Sequence, residues 1–452
     1  MIHKKCSPSP IHVCLLLAVA VTLAIPASAE WNEQVLYSFQ GGADDGSVPA
    51  GGIVFDKQGN LYGATTGGGP AGTVFQLRPP AQKGDPWTET LIYQFQGESS
   101  KDGSEPSGGL IMDAAGNLYG VTAYGGTGNC KLLGILYGCG TVYELSPPQQ
   151  KGGAWTETIL YSFPTAKQGY VPNGDLVFDS AGNLYGATSF GGGKGTTCDE
   201  FYGGNCGAVF ELSPPKTKGG KWTEKVLHAF AGGTDGANPN GGLVLDSKGA
   251  VYGTAEFGGF EGGECGSGGC GTVFELIPPT ENGAGWAQEV VHRFKGAPDG
   301  GGPSAGLIFD TKGRLYGTTL GGGGGRSGSG TVFKLIHNAN GAWTERILYS
   351  FQFGVDGAEP RAGVVFDAKG RVYGTATEGG AGGGGTVFEL RPSGKSWSFA
   401  VLHAFTGKPD GSWPNSSLVF DAAGSLYGTT EQSGTGQDCG NYGCGTVFEV
   451  SP

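Results

Sequence analysis

The stretch Leu176-Val-Phe-Asp-Ser-Ala-Gly-Asn-Leu-Tyr-Gly-Ala-Thr188 joins two short apolar runs through a turn built on Asp179 and Gly182. Apolar runs of this length bounded by Asp and Gly read as a β-hairpin. The stretch recurs with small changes. Its tyrosine returns as Tyr62, Tyr119, Tyr185, Tyr252, Tyr316, Tyr373 and Tyr427, at spacings of 57, 66, 67, 64, 57 and 54 residues. Such a period marks a chain assembled from copies of one supersecondary unit.

Two further strand-like runs complete each copy. Gly-Thr-Val-Phe-Glu-Leu begins, with minor changes, at Gly72, Gly140, Gly207, Gly271, Gly330, Gly385 and Gly445. A Trp-Thr-Glu-x-x-Leu-Tyr-Ser-Phe run begins at Trp31, Trp87, Trp155, Trp222, Trp286, Trp343 and Trp397, a position that suits packing between neighbouring units. Four strands repeated seven times, with no helical period, predict an all-β protein: a seven-bladed β-propeller of four-stranded antiparallel blades. The runs are apolar on consecutive residues because neighbouring blades cover both faces of each sheet. The chain enters on a fourth-strand run and leaves on a third-strand run. The N-terminal strand is therefore expected to join the C-terminal blade and close the ring, residues 35–39 pairing with 447–450.

Residues 1–29 differ in kind. Lys4 and Lys5 precede an apolar segment from Val13 to Ile25, then Pro26 and Ala27-Ser28-Ala29. This reads as a cleaved signal peptide, leaving residues 30–452 as the propeller and predicting a secreted, periplasmic or outer-envelope location. No later apolar run reaches the roughly 20 residues a membrane-spanning helix needs. Loss of Lys4 and Lys5 takes the net charge from −12 to −14, a balance that disfavours nucleic acid and anionic membrane as partners. A monomer is expected.

Eight cysteines follow the leader, in pairs that each fall within one loop between second and third strands: Cys130 with Cys139, Cys198 with Cys206, Cys265 with Cys270, and Cys439 with Cys444. In an oxidising compartment they read as four local disulfides. Zinc is disfavoured because each loop offers two thiolates and no histidine, where a structural site takes four ligands.

The aspartates ending the first strands, Asp56, Asp113, Asp179, Asp246, Asp310, Asp367 and Asp421, each precede x-x-Gly and read as turn caps. An Asp-Gly-x-x-Pro motif precedes the first strand at Asp45, Asp102, Asp235, Asp299, Asp356 and Asp410, with Gln168 in the remaining copy. It is placed on the same face as the cysteine loops. Catalysis needs the repeat symmetry to break, and the breaks are Asp175, where other blades have Gly or Ser, together with Glu256, Glu378, Glu431, Arg361 and Trp413. These six are the candidate ligand-binding residues, able to serve a cation such as Ca²⁺, a sugar or general acid–base chemistry, or to be solvated loop residues. No catalytic residue is assigned and the metal is left unspecified. His228, His292 and His403 replace the tyrosine of the Leu-Tyr-Ser-Phe run, and no histidine is read as placed beside an acid for general-base or metal work. No GxSxG, HExxH or Walker-type run occurs in a setting that fits it.

The combined unit, Gly-Asn-Leu-Tyr-Gly-Ala-Thr followed by Gly-Thr-Val-Phe-Glu-Leu, resembles the GloVer tandem-repeat proteins of bacteria over essentially the whole of residues 30–452. The resemblance implies an exported protein of propeller type and transfers no catalytic residues; of the variable C-terminal surface anchors of such proteins none is recognised here, so surface attachment is not expected. The leading expectation is a non-catalytic scaffold that binds a carbohydrate, protein or cell-surface partner through the disulfide-stapled loop face, with no cofactor beyond an optional Ca²⁺. The alternatives are an extracellular hydrolase or lyase using channel-mouth carboxylates, and a purely structural envelope component.

Overall fold

Each hairpin turn is fixed by its own aspartate. Asp179 Oδ1 accepts the amides of Ala181 and Asn183, while Oδ2 accepts Asn183 Nδ2 and the Tyr185 hydroxyl. Gly182 sits in the left-handed region at φ 84°. The same cap recurs in the other blades, with Arg314 and Arg371 replacing the asparagine at Asp310 and Asp367. These aspartates are turn caps.

The second strand of each blade, such as Leu61–Gly68, is buried on both faces along Leu-Tyr-Gly-Ala-Thr. Its glycine makes room for the third strand's aromatic ring. Gly63 is paired with Phe75, and a Cβ on Gly63 would lie 2.5 Å from that ring. Outer strands such as Thr156–Ser162 begin by alternating exposed and half-buried residues and continue half-buried. Their tryptophans reach the tyrosine of the preceding blade: Trp87 meets Tyr427 at 6.4 Å, Trp155 meets Tyr62 at 5.7 Å and Trp31 meets Tyr373 at 6.1 Å between ring centroids.

The computed structural model describes residues 31–452 apart from 83, 98–99, 133–134, 151, 194–205, 218, 260–264, 282–283 and 325–327. The expected leader and Cys198 lie outside the described residues. Seven four-stranded antiparallel blades form a ring. Among the described residues helical content is confined to short 3-10 turns, and no helix is long and apolar enough to cross a membrane. Blade one comprises Gly46–Phe55, Leu61–Gly68, Thr73–Arg78 and Thr88–Gln94, from channel to rim. Blade seven takes its outer strand from the chain start: Asn32–Ser38 pairs with Thr446–Ser451, Val35 opposite Phe448 and Ser38 opposite Thr446. The expected closure is observed.

The inner strand differs from its sequence-based outline. In blades one to three it reaches back through the Asp-Gly-x-x-Pro motif, as in Gly46–Phe55, rather than beginning near Ile53. It is also bulged: Ala50 pairs with Ala64 and Val54 with Tyr62, so Gly51, Gly52 and Ile53 together face Gly63. In blades four to six only two residues past the bulge keep ladder pairing, as in Val244–Leu245.

The motif itself is an inter-blade clasp. The residue before its proline adopts a left-handed backbone in all seven blades: Val48, Glu105, Val171, Asn238, Gly302, Glu359 and Trp413, with φ between 52° and 64°. This turns its amide onto the preceding blade. Val48 N donates to Cys444 O at 2.9 Å, Asn238 N to Cys206 O at 2.8 Å and Gly302 N to Cys270 O at 2.8 Å. The proline then covers the glycine that opens the preceding blade's third strand. A Cβ on Gly207 would lie 2.6 Å from Pro239 Cδ, and one on Gly445 2.5 Å from Pro49 Cδ. Bridges Cys130–Cys139, Cys265–Cys270 and Cys439–Cys444 are formed, and Cys206 is disulfide-bonded. Cys206, Cys270 and Cys444 thus supply the carbonyls to which the next blade docks.

Candidate functional site

The bulge decides what faces the channel. Inner strands meet backbone to backbone: a Cβ on Gly51 would lie 2.1 Å from the carbonyl carbon of Gly108, and one on Gly108 2.5 Å from Gly174 O. One step along, Gly52, Gly109, Asp175, Gly242, Gly306, Gly363 and Ser417 occupy equivalent positions, so Asp175 is the only charge at this level. All except Gly109 line a central cavity of about 380 Å³.

Asp175 Oδ1 accepts the Gly109 amide at 2.5 Å. Burial in the ring raises its pKa and the amide hydrogen bond partly offsets that. The residue is half-buried and lines the cavity. Two residues before this level, where the bulge begins, come Ala50, Ser107, Asn173, Asn240, Ser304, Arg361 and Asn415, all lining the cavity. Above them the ends of second strands contribute Thr66, Glu256, Leu320 and Glu431.

Polar links hold this mouth in place. Ser189 Oγ donates to Asn240 Oδ1 at 2.6 Å, and Asn240 Nδ2 donates to Glu256 Oε2 at 2.7 Å. Asn415 Nδ2 reaches Glu431 Oε2 at 3.4 Å. Burial raises the Glu256 pKa, against the opposing pull of the Asn240 hydrogen bond and the Arg361 charge. Arg361 also pairs with Glu359 at 2.6 Å.

Of the six expected site residues, Asp175, Glu256, Glu431 and Arg361 share the cavity. Glu378 does not. It stands one residue beyond Thr377, the counterpart of Glu256, and strand alternation turns it to the other side, where its backbone bridges Ala358. Trp413 also lies outside the cavity lining, 38% exposed, as the left-handed clasp residue of blade seven. The amides Asn173, Asn240 and Asn415 were missed in the sequence; they precede the Gly or Ser pair of the bulge, a position that varies as freely as those singled out.

The histidine reading needs correction. His228 Nε2 lies 3.2 Å from Asp235, His292 Nε2 3.4 Å from Asp299 and His403 Nε2 3.2 Å from Asp410, each Asp from the Asp-Gly-x-x-Pro motif. In other blades the tyrosine takes that place, as where Tyr37 donates to Asp45. These pairs are on the blade rims and outside the channel. Among the described residues the channel carboxylates do not gather into a three-ligand cation cluster.

What the mouth offers is a set of fixed acceptors and donors, carboxylates, amides, hydroxyls and one guanidinium, around a cavity of small-ligand size. The family model described as the Gloeobacter/Verrucomicrobia repeat matches residues 131–344 and 323–452. No curated protein matches the chain. Similar solved structures include a gluconolactonase from Xanthomonas campestris, at 13% identity over 82% of this chain and 89% of that one with TM-score 0.40. The PQQ domain of pyranose dehydrogenase from Coprinopsis cinerea is 10% identical over 94% and 96%, with TM-score 0.43. A protein of unknown function from Dyadobacter fermentans is 15% identical over 82% and 98%, with TM-score 0.42. At these values none bears on what this chain does.

Proposed function

The chain belongs to the Gloeobacter/Verrucomicrobia repeat family, and from that premise we propose that it is a binding propeller taking a hydroxyl-rich, carbohydrate-class ligand at the channel mouth. One observation carries the reading: where the inner strands bulge, the glycine-rich repeat gives way to Asn173, Asp175, Asn240, Arg361 and Asn415 around a single cavity. Paired amides and carboxylates held by second hydrogen bonds are the groups that exchange hydrogen bonds with adjacent hydroxyls. The disulfides accord with an oxidising compartment, so the proposed location is outside the cytoplasm.

The test is a glycan array followed by calorimetry on the best glycan, comparing the wild type with Asp175→Gly and Asn240→Ala. Asp175→Gly restores the residue most blades carry, so the fold should persist while affinity falls by ~10-fold or more, the loss expected for a buried charged hydrogen-bonding group. Binding that is unaffected by either change would overturn the reading. A hydrolase or lyase is the second reading, favoured by a channel carboxylate, Glu256, whose pKa burial shifts upward, the direction a general acid requires. Multiple turnovers lost in Glu256→Gln would establish it.

A further inference from the structure

The outer strands carry a second kind of polar cluster, at the seams between blades. At the seam of blades four and five, His292 from the outer strand Ala287–Arg293 and Asp299 from the following motif meet Glu345 on the next blade's outer strand Trp343–Ser350. At the seam of blades six and seven, His403 and Asp410 meet Glu33 of the N-terminal strand. In each trio one ligand atom per residue lies within 4.8 Å of the other two.

The separations suit one ion. His292 Nε2 is 3.4 Å from Asp299 Oδ2 and 3.9 Å from Glu345 Oε1, and His403 Nε2 is 3.2 Å from Asp410 Oδ1. Bonds of about 2.0–2.2 Å from nitrogen and oxygen to a tetrahedral zinc put ligand atoms about 3.3–3.5 Å apart. The aspartates are already oriented by backbone, Asp299 by the Lys295 amide at 3.0 Å and Asp410 by the Thr406 amide at 2.8 Å. Among the described residues, His292 Nε2, Glu345 Oε1 and Glu33 Oε1 are shielded from solvent without an aligned hydrogen-bond partner. Side-chain exposures of 17%, 19% and 11% for His292, Asp299 and Glu345 leave a path in.

We propose that each of these two seams binds a divalent transition-metal ion of the Zn²⁺ class, through one imidazole and two carboxylates, with water completing the shell. The ion ties the outer strands of adjacent blades together. At the second seam it ties down the N-terminal strand that closes the ring. Burial and the neighbouring aspartate push the Glu345 carboxyl upward in pKa, and a cation relieves the same crowding.

The chain supplies its own controls. Tyr37, Asp45 and Glu89 repeat the arrangement with a phenol for the imidazole, and Tyr93, Asp102 and Glu157 do so again. His228 and Asp235 keep the imidazole, but Gln288 occupies the glutamate position. Only the seams with both histidine and glutamate should bind.

The experiment is equilibrium dialysis of untagged, chelator-treated protein against ZnCl₂, with bound metal read by atomic spectroscopy and melting temperature followed alongside. Two ions per chain are expected, one in His292→Tyr, one in His403→Tyr and none in the double variant, with the zinc-induced rise in melting temperature lost in step. Tyrosine is the residue other blades carry there, so the variants should keep the wild-type circular dichroism. Should a variant fail to fold, Glu345→Gln, which copies the amide that Gln288 supplies at the equivalent position, replaces it and must also remove one ion. Stoichiometry that is unchanged in the double variant, no zinc bound by the wild type, or Ca²⁺ binding at two sites that ignores the histidines would each overturn the proposal.

Discussion

Single side chains set the site apart from its frame. Asp175 and Gly109 occupy the same position in adjacent blades, and the carboxylate of one accepts the amide of the other. A level otherwise made of glycine and one serine thus carries a single acid. Glu256 and Glu378 give the sharper comparison, because both are acids near second-strand ends and only Glu256 lines the channel. Replacing Glu256 by Gln is expected to weaken ligand binding ~10-fold, the cost of losing a charged acceptor. Glu378→Gln should bind as the wild type does, and calorimetry on the pair checks the assignment. The repeat already showed where symmetry breaks at Asp175 and Glu256. It did not show that Glu378 faces away or that Asn173, Asn240 and Asn415 face in. The amides depend on the bulge, where three residues oppose one and period-two counting slips, while Glu378 lies one residue past Thr377, the counterpart of Glu256, so strand alternation turns it away. The histidine pairs were hidden for a related reason: each forms across a turn between an outer strand and the next motif.

Among the elements, the clasp between blades accounts for the proline of each motif and the glycine that opens each third strand. Gly207 and Gly182 both lie at positive φ, 93° and 84°. They differ in surroundings. A Cβ on Gly182 meets nothing within 4 Å, whereas on Gly207 it meets Thr188 O at 2.5 Å and Pro239 Cδ at 2.6 Å. Gly182→Ala is thus expected to cost about 1–2 kcal/mol, the backbone penalty alone. Gly207→Ala adds an overpacking penalty of about 1–3 kcal/mol. Urea unfolding of the two variants would separate the contributions, and equal losses would count against the clasp. Strand existence, order and pairing were legible because two-sided burial leaves unbroken apolar runs. The left-handed residue before each proline was not legible, since Val48, Glu105 and Trp413 share no chemistry that favours such a backbone.

For the whole ring, the glutamates between outer strands govern the response to pH. Glu89 and Glu157 are raised to about 7, by burial first and by Asp45 and Asp102 second. A carboxyl whose folded pKa exceeds its unfolded value near 4.3 favours folding in the protonated form. That contribution is complete below the unfolded pKa and is lost as pH rises through about 7. The melting temperature in chelator-containing buffer should fall between pH 5 and pH 8, and Glu89→Gln with Glu157→Gln should flatten the slope. A rising or unchanged profile in the wild type would contradict these protonation states. Removing residues 31–39 should likewise broaden unfolding, because blade seven then ends on an unpaired third strand.

That shared blade also dictates the order in which the molecule can be finished. Ser451 Oγ donates to Asn32 O across 419 residues of chain, and Thr435 N to Ser38 Oγ across 397. Six blades use strands that follow one another and are able to assemble as the chain lengthens. The seventh must wait for its last residues while its first strand stays unpaired. Loop-closure entropy of this span falls on a single late step. The opening segment is thus a strand held in reserve, and for the duration of synthesis the growing ring carries an open edge able to accept a strand from another copy.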